Sequence, residues 1–272
     1  MSPGGRLRDA LVLAALAAYA VPFVWQLLTS FKPEAELLRV PPLLPTRLTL
    51  AHYAVVLEQS LIPRALANSL GVAGLTTLLA LLLGLPAAYA LARLPVPGRS
   101  VLLLGIVAST AFPQIATVSP LYLLLRALGL RDTWTALVLA HTSFALPLTV
   151  WLLAGFIREI PRAVEESAAV DGASGLQTLR WVLLPLLAPG VASAGLLAFL
   201  FSWNEFLFAY TFTASEASRT VPVALALFPG VFEVPWGDIA AASMLASLPP
   251  VLIVVGLQRY LVRGLLAGAV KD

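Results

Sequence analysis

Apolar residues run along this chain in six long blocks, near residues 9–30, 66–92, 100–126, 134–157, 188–213 and 238–262. Each is long enough to cross a hydrocarbon core of about 30 Å, which takes about 20 helical residues. The pattern predicts an all-α membrane protein with six transmembrane helices. The first block follows Arg6 and Arg8, as the core of a signal peptide does. Its apolar stretch exceeds the usual ~7–15 residues and further spans follow, so it reads as a retained signal anchor. Prolines fall inside several blocks, at Pro22, Pro86, Pro113, Pro120, Pro147, Pro249 and Pro250. Each would free a backbone carbonyl that only a neighbour or water can satisfy. Bent helices lining a pathway are one reading, and the ordinary frequency of proline in membrane helices is the other.

The polar intervals give the organisation: a signal-anchor helix with its following loop (1–65), a core (66–262) carrying a loop at 158–187, and a tail (263–272). An even number of spans puts both ends on one side. With the termini inside, the inner loops and ends hold ten of the seventeen Lys and Arg residues and the outer loops seven. That bias predicts cytoplasmic termini. Two outer pieces, the proline-rich 31–65 and the stretch 214–237, are large enough to touch a soluble partner.

On the inner side, residues 158–187 spell helix, turn, helix. Pro161 suits a first helical position, and Glu165 and Glu166 put negative charge near the helix N-terminus, where the helix dipole favours it. Gly172 can take the left-handed conformation that ends a helix. Ser174 with Gln177 forms a capping-box pattern, opening a second helix from Gly175 until Pro185. Such a pair, tethered by a span on each side, is a rigid knob suited to a groove on a partner.

Composition sharpens what the chain can do. It is 60% hydrophobic and 11% charged, with a mean hydropathy of +0.92, outside the range of soluble domains. The basic residues are dispersed, which argues against nucleic-acid binding. Cysteine is absent and His52 and His141 are the only histidines, so a metal site has little to build on. Neither lysine, Lys32 or Lys271, follows a glycine as a phosphate-binding loop requires. If ATP drives the protein, another chain binds it.

In the inner loop, Glu166-Ser167-Ala168 is followed after three intervening residues by Gly172, after nine more by Val182, and after one more by Leu184-Pro185. This spacing resembles the EAA loop of ATP-binding-cassette importer permeases, with Ser167 where alanine is usual and Val182 where isoleucine is usual. The likeness extends over nearly the whole chain, to the carbohydrate-uptake permeases of maltose and trehalose type. Ser30-Phe31-Lys32-Pro33-Glu34, Phe144-Ala145-Leu146-Pro147, Trp203-Asn204-Glu205 and the ending Gly264 to Lys271 carry it. It implies a type I importer transmembrane domain that is itself no enzyme. ATP and Mg would sit on two copies of a cytoplasmic ATPase, beside a second homologous permease and an extracytoplasmic solute-binding protein, all at the cell inner membrane. Glu165, Glu166, Ser167, Ala168, Asp171, Gly172, Ala173, Val182, Leu184 and Pro185 would couple to the ATPase. The tail residues Gly268, Ala269, Val270 and Lys271 would reach toward it, on glycines that leave the terminus flexible. The implied cargo is a disaccharide or oligosaccharide, with glycerol-phosphate or another polyol as the alternative.

Glu205 is the one carboxylate placed well inside a span, and burying a lone carboxylate in a membrane is costly. It could face the pathway and bind a sugar hydroxyl, pair with a partner subunit, or sit among the outer headgroups. Trp203, Asn204, Phe206 and Tyr210 stand nearby as aromatic and amide partners for a sugar. His141 and Ser143 read as polar packing residues of the fourth span, and Asn68-Ser69 as a cap before the second. An ion-coupled secondary transporter would need more intramembrane titratable groups than this chain offers, and an intramembrane enzyme would need a nucleophile or metal pattern that does not occur. Replacing Gly172 by valine is expected to abolish solute uptake while the protein remains in the membrane at normal abundance; normal uptake by that variant overturns the coupling role of the loop.

Overall fold

The computed structural model describes residues 3–37, 42–228 and 234–269, and every regular element among them is a helix. In chain order these are α1 (Pro3–Thr29), α2 (Glu34–Leu37), α3 (Ala51–Gln59), α4 (Ile62–Arg93), α5 (Arg99–Thr110), α6 (Gln114–Ala127) and α7 (Trp134–Glu159). There follow α8 (Arg162–Val170), α9 (Gly175–Leu186), α10 (Ala188–Asn204), α11 (Leu207–Phe212), α12 (Val221–Ala226) and α13 (Trp236–Ala269). The chain forms two compact units, one of residues 1–63 and 224–248, the other of 64–223 and 249–272.

In the first unit, α1 presents Leu13, Leu16, Tyr19 and Phe23 outward, as suits a helix solvated by lipid. The segment after it is packed rather than loose. The Ser30 hydroxyl meets the Tyr53 hydroxyl at 2.8 Å. Lys32 is fully buried, its ammonium 4.1 Å from the centre of the Trp25 ring, a favourable cation–π geometry. His52 on α3 ties three elements together: Nε2 lies 2.9 Å from the Lys32 carbonyl and Nδ1 2.6 Å from the Asp238 carboxylate at the start of α13. Gly237 is required there, because a Cβ would stand 2.2 Å from the imidazole.

The second unit is built on α4, α7 and α10. Their contacts are made by small residues, among them Ala80, Ala145 and Ala198 in one cluster and Ala88, Ala92, Ala154 and Ala194 in another. Lipid tails are as apolar as leucine, so membrane helices gain by close van der Waals approach, which small residues permit. Leu153, Ile157, Leu183 and Leu187 fill the remaining space at one end.

Among the described residues four helices are each long and apolar enough to span a membrane, and two further expected spans are broken. The block at 100–126 is not one helix: α5 and α6 meet at 91° across Ala111–Pro113, where Pro113 has no N–H to continue the ladder. The block at 188–213 ends as α10 at Asn204 and resumes as the short α11. At its other end α9 and α10 meet at 82°. The tail expected to be flexible is helical backbone through Ala269, so Gly268 and Ala269 extend α13; Val270 and Lys271 lie outside the described residues.

Asn68 and Ser69 are not a cap. The helix α4 starts earlier, at Ile62, and both side chains work as a clasp. The Asn68 amide donates to the carbonyls of Arg219 at 2.8 Å and Glu216 at 3.2 Å, its oxygen accepts from the Trp134 indole at 3.2 Å, and Ser69 accepts from the Val221 N–H at 2.8 Å. Asp132, with left-handed backbone, fastens the same loop by accepting from the N–H groups of Ala214 at 2.8 Å and Ser215 at 3.0 Å and from the Ser218 hydroxyl. Burial alone would raise its pKa, but these donors outweigh it and hold the carboxyl well below the usual range. The stabilisation is therefore present above the ordinary value of about 4 and is lost only on stronger acidification.

Gly71 faces the Trp134 ring, where an added Cβ would lie 2.3 Å from a ring carbon, whereas Gly74 has nothing within 4 Å. Gly71→Ala is expected to destabilise by about 1–3 kcal/mol through overpacking and Gly74→Ala to leave the unfolding midpoint in detergent unchanged; equal midpoints for the two variants would refute the close approach.

Candidate functional site

The loop between α7 and α10 folds as a two-faced body. Its inner face is apolar: Ala168, Leu179, Leu183 and Leu187 are buried, the three leucines within the cluster that includes Leu91, Leu153 and Ile157. Its outer face carries Val170, Leu176 and Trp181, exposed at 88%, 75% and 68%. The turn forms as its residues dictate. Gly172 has φ +83°, a conformation in which a β-branched residue is strained. Ser174 and Gln177 close the capping box reciprocally, the Ser174 N–H donating to the Gln177 side chain at 2.8 Å. Pro161 stands one position before its expected place, as the cap of α8. The second helix continues through Pro185 to Leu186 because residues Thr178–Leu183 take a wider π-helical turn, which makes room for a ring that a regular helix would crowd.

The two glutamates that spacing groups together have separate surroundings. Glu165 turns inward to an ion pair with Arg93 at the end of α4, their side chains only 16% and 8% exposed. The same guanidinium donates from Nη2 to the Ile160 carbonyl at 2.5 Å. One arginine thus grips the exit of α7 and the first turn of α8 together. Glu166, Ser167, Asp171 and Gly172 point outward, while Ala173, Val182 and Leu184 are half-buried and Pro185 is exposed. Arg93 escaped the sequence reading because it lies far upstream, in what reads as an ordinary positively charged end of a span.

The second constellation surrounds the break between α10 and α11. Glu205 is 6% exposed. Its Oε1 accepts from the Phe208 N–H at 2.8 Å, and its Oε2 from the Ala209 N–H at 3.1 Å and lies 3.1 Å from His141 Nε2. The carboxylate therefore caps the first turn of α11, and its position requires a proton on Nε2. His141 Nδ1 meets the Ser202 hydroxyl at 2.7 Å, and the Ser202 and Thr76 hydroxyls lie 3.4 Å apart.

The Glu205 carboxylate is buried and taken up by groups of its own chain. Trp203 is likewise buried, stacked at 5.5 Å on Phe199. Asn204, Phe206 and Tyr210 do face outward, the last two stacked on one another at 5.4 Å. His141 is more than a packing residue, since it is the donor that the buried carboxylate needs; the rarity of histidine in the chain was the available signal. Ser143 is not its partner and bonds to the Ala140 carbonyl at 2.7 Å. Among the described residues no group of three or more His, Asp or Glu side chains is arranged to hold a metal.

Apart from Thr76, both constellations lie within residues 80–267, which match the family described as the binding-protein-dependent transport system inner membrane component. The chain belongs to this family of permeases. The trehalose transport system permease protein SugB of Mycobacterium tuberculosis is 42% identical to this permease over 94% of each chain. The trehalose/maltose transport system permease protein MalG of Thermococcus litoralis is 38% identical over 92% of this chain and 91% of the relative. The sulfoquinovosyl glycerol transport system permease protein SmoH of Agrobacterium fabrum is 41% identical over 92% and 88%. The permease shares its fold with a chain from the crystal structure of a bacterial ABC transporter involved in the import of the acidic polysaccharide alginate, at TM-score 0.82 and 22% identity, over 96% of this chain and 99% of that one.

Removing one partner of a buried ion pair costs roughly 3–5 kcal/mol, so Arg93→Glu and Glu165→Arg are each expected to cut solute uptake at least tenfold. The double exchange is expected to restore a substantial part of it, measured as uptake normalised to the amount of permease in the membrane. Absence of rescue would show that the pair does not hold the loop.

Proposed function

We propose that this permease is one of two homologous transmembrane subunits of an ATP-driven importer for a sugar, a disaccharide or oligosaccharide of the trehalose or maltose kind. The observation that carries the proposal is the rigid, outward-facing knob at 162–186, whose Val170 and Leu176 are exposed at 88% and 75% beside the acidic Glu166. An apolar tip held from behind by Arg93 is suited to a cleft on a cytoplasmic ATPase, of which two copies would bind ATP and Mg. The permease itself is then a non-catalytic subunit. The excess of Lys and Arg in the loops and ends on the side of this knob supports cytoplasmic termini in the inner membrane. The opposite loops, including the one fastened by Asp132, would meet a solute-binding protein.

In this mechanism ATP-driven closure of the ATPase pair pushes on the knob. Because Arg93 joins it to α4 and to the end of α7, the displacement passes to those helices as a rigid-body motion. That motion exchanges inward- for outward-facing states, each favoured by the ligands that bind it better. The names of the relatives support the cargo, since three of them are named for trehalose, maltose or a sugar glycerol.

The test deletes this chain in its host and measures uptake of radiolabelled trehalose and maltose. Uptake of at least one is expected to fall at least tenfold and to return with the wild-type chain. The tagged permease is also expected to co-purify with an ATPase and a second permease. Uptake that persists in the deletion, or that survives ATP depletion but collapses with an uncoupler, would overturn the proposal.

A further inference from the structure

The break between α5 and α6 opens a groove that none of the pathway candidates read from the sequence touches. Its volume is about 450 Å³, within the roughly 300–1,000 Å³ range of small-molecule sites. The 91° bend across Ala111–Pro113 interrupts a helix within an apolar span, and the last carbonyls of α5 are met by the turn N–H groups of Ala111 and Phe112 and by the hydroxyls of Ser109 and Thr110. Irregular backbone at membrane depth is tolerated where it lines a protein-walled or water-filled cavity.

The side chains at this groove have a common chemistry. Ser109, Thr110, Thr117 and Ser143 line it, and each hydroxyl gives its proton to a carbonyl of its own helix: Ile106 at 2.6 Å, and Val107, Gln114 and Ala140 at 2.7 Å each. What they offer a ligand is therefore oxygen lone pairs, so the complementary ligand is a donor of several hydroxyl protons. Phe112 and Phe144 add aromatic surface, suited to the apolar side of a sugar ring. No charged side chain lines the groove, which disfavours an anionic or cationic solute, for which a buried partner would be needed. A second cavity of about 270 Å³ beside α10 offers Thr77 as its one hydroxyl and is otherwise apolar.

We propose that the α5–α6 groove is a contact site for the transported solute on this subunit, selecting neutral, polyhydroxylated molecules through Ser109, Thr110, Thr117 and Ser143. This rests on the sugar-import reading above and adds where, on this chain, the sugar is held.

The natural sequence has no cysteine, so Thr117→Cys and Ser143→Cys each introduce a single reporter of nearly the same size. In the deletion host, with the remaining subunits present, both variants are expected to react with a small, charged methanethiosulfonate reagent. Saturating trehalose or maltose, whichever is imported, is expected to slow that reaction at least threefold. Ser143→Leu is expected to cut uptake of the same sugar at least tenfold at normal membrane abundance. Reactivity unchanged by sugar overturns the proposal, as does wild-type uptake by Ser143→Leu. Cysteines that stay unreactive with and without sugar also overturn it. Sugar uptake that does not depend on the wild-type chain removes the import reading and this site with it, whereas dependent uptake with indifferent groove variants removes the site alone.

Discussion

A carboxylate buried inside a protein must find its donors among its own neighbours, and the second unit meets that requirement at Glu205. Two N–H groups of α11 and one imidazole supply them. The N–H groups are available because α10 stops and α11 starts afresh, so the helix break and the buried charge satisfy each other. The imidazole comes from α7 and is itself braced by Ser202 on α10, which reaches Thr76 on α4. The three helices whose alanines pack together are thus also joined by one polar chain. Packing alone would allow them to slide or rotate in small steps, but hydrogen bonds of fixed geometry select one register.

The loop between α7 and α10 combines an exposed tip with an anchored base. In the coupling role proposed above, an unanchored base would absorb a push at the tip as local bending. The apolar inner face, the capping box and the wide turn before Pro185 give it shape, and the Arg93–Glu165 pair gives it attachment. Adjacent glutamates on one helix diverge by about 100°, which is why one can serve the base while the other serves the tip.

Much of this was legible in the chain. Hydrophobic block lengths show where lipid must be crossed, and Gly172, Ser174 and Gln177 announce a turn through local chemistry that tertiary packing did not overrule. Pairings between distant residues were not legible. Nothing local to Asn68 says that its amide will clasp Arg219, nothing near Glu165 points to Arg93, and Glu205 declared that it needed a partner without saying which. The helix breaks were half visible: Pro113 marked a bend without its angle, while the stop at Asn204 has no proline or glycine to signal it, being set by the carboxylate that follows.

The order of residues in the Glu205–His141 pair bears on how the protein is made. His141 precedes Glu205 by 64 residues, whereas the N–H groups of Phe208 and Ala209 follow it. The imidazole is therefore synthesised before the carboxylate, and the rest of its site only after. The six-residue α11 is far too short to span a bilayer on its own, so its place depends on the carboxylate that caps it and on packing against α6 and α7.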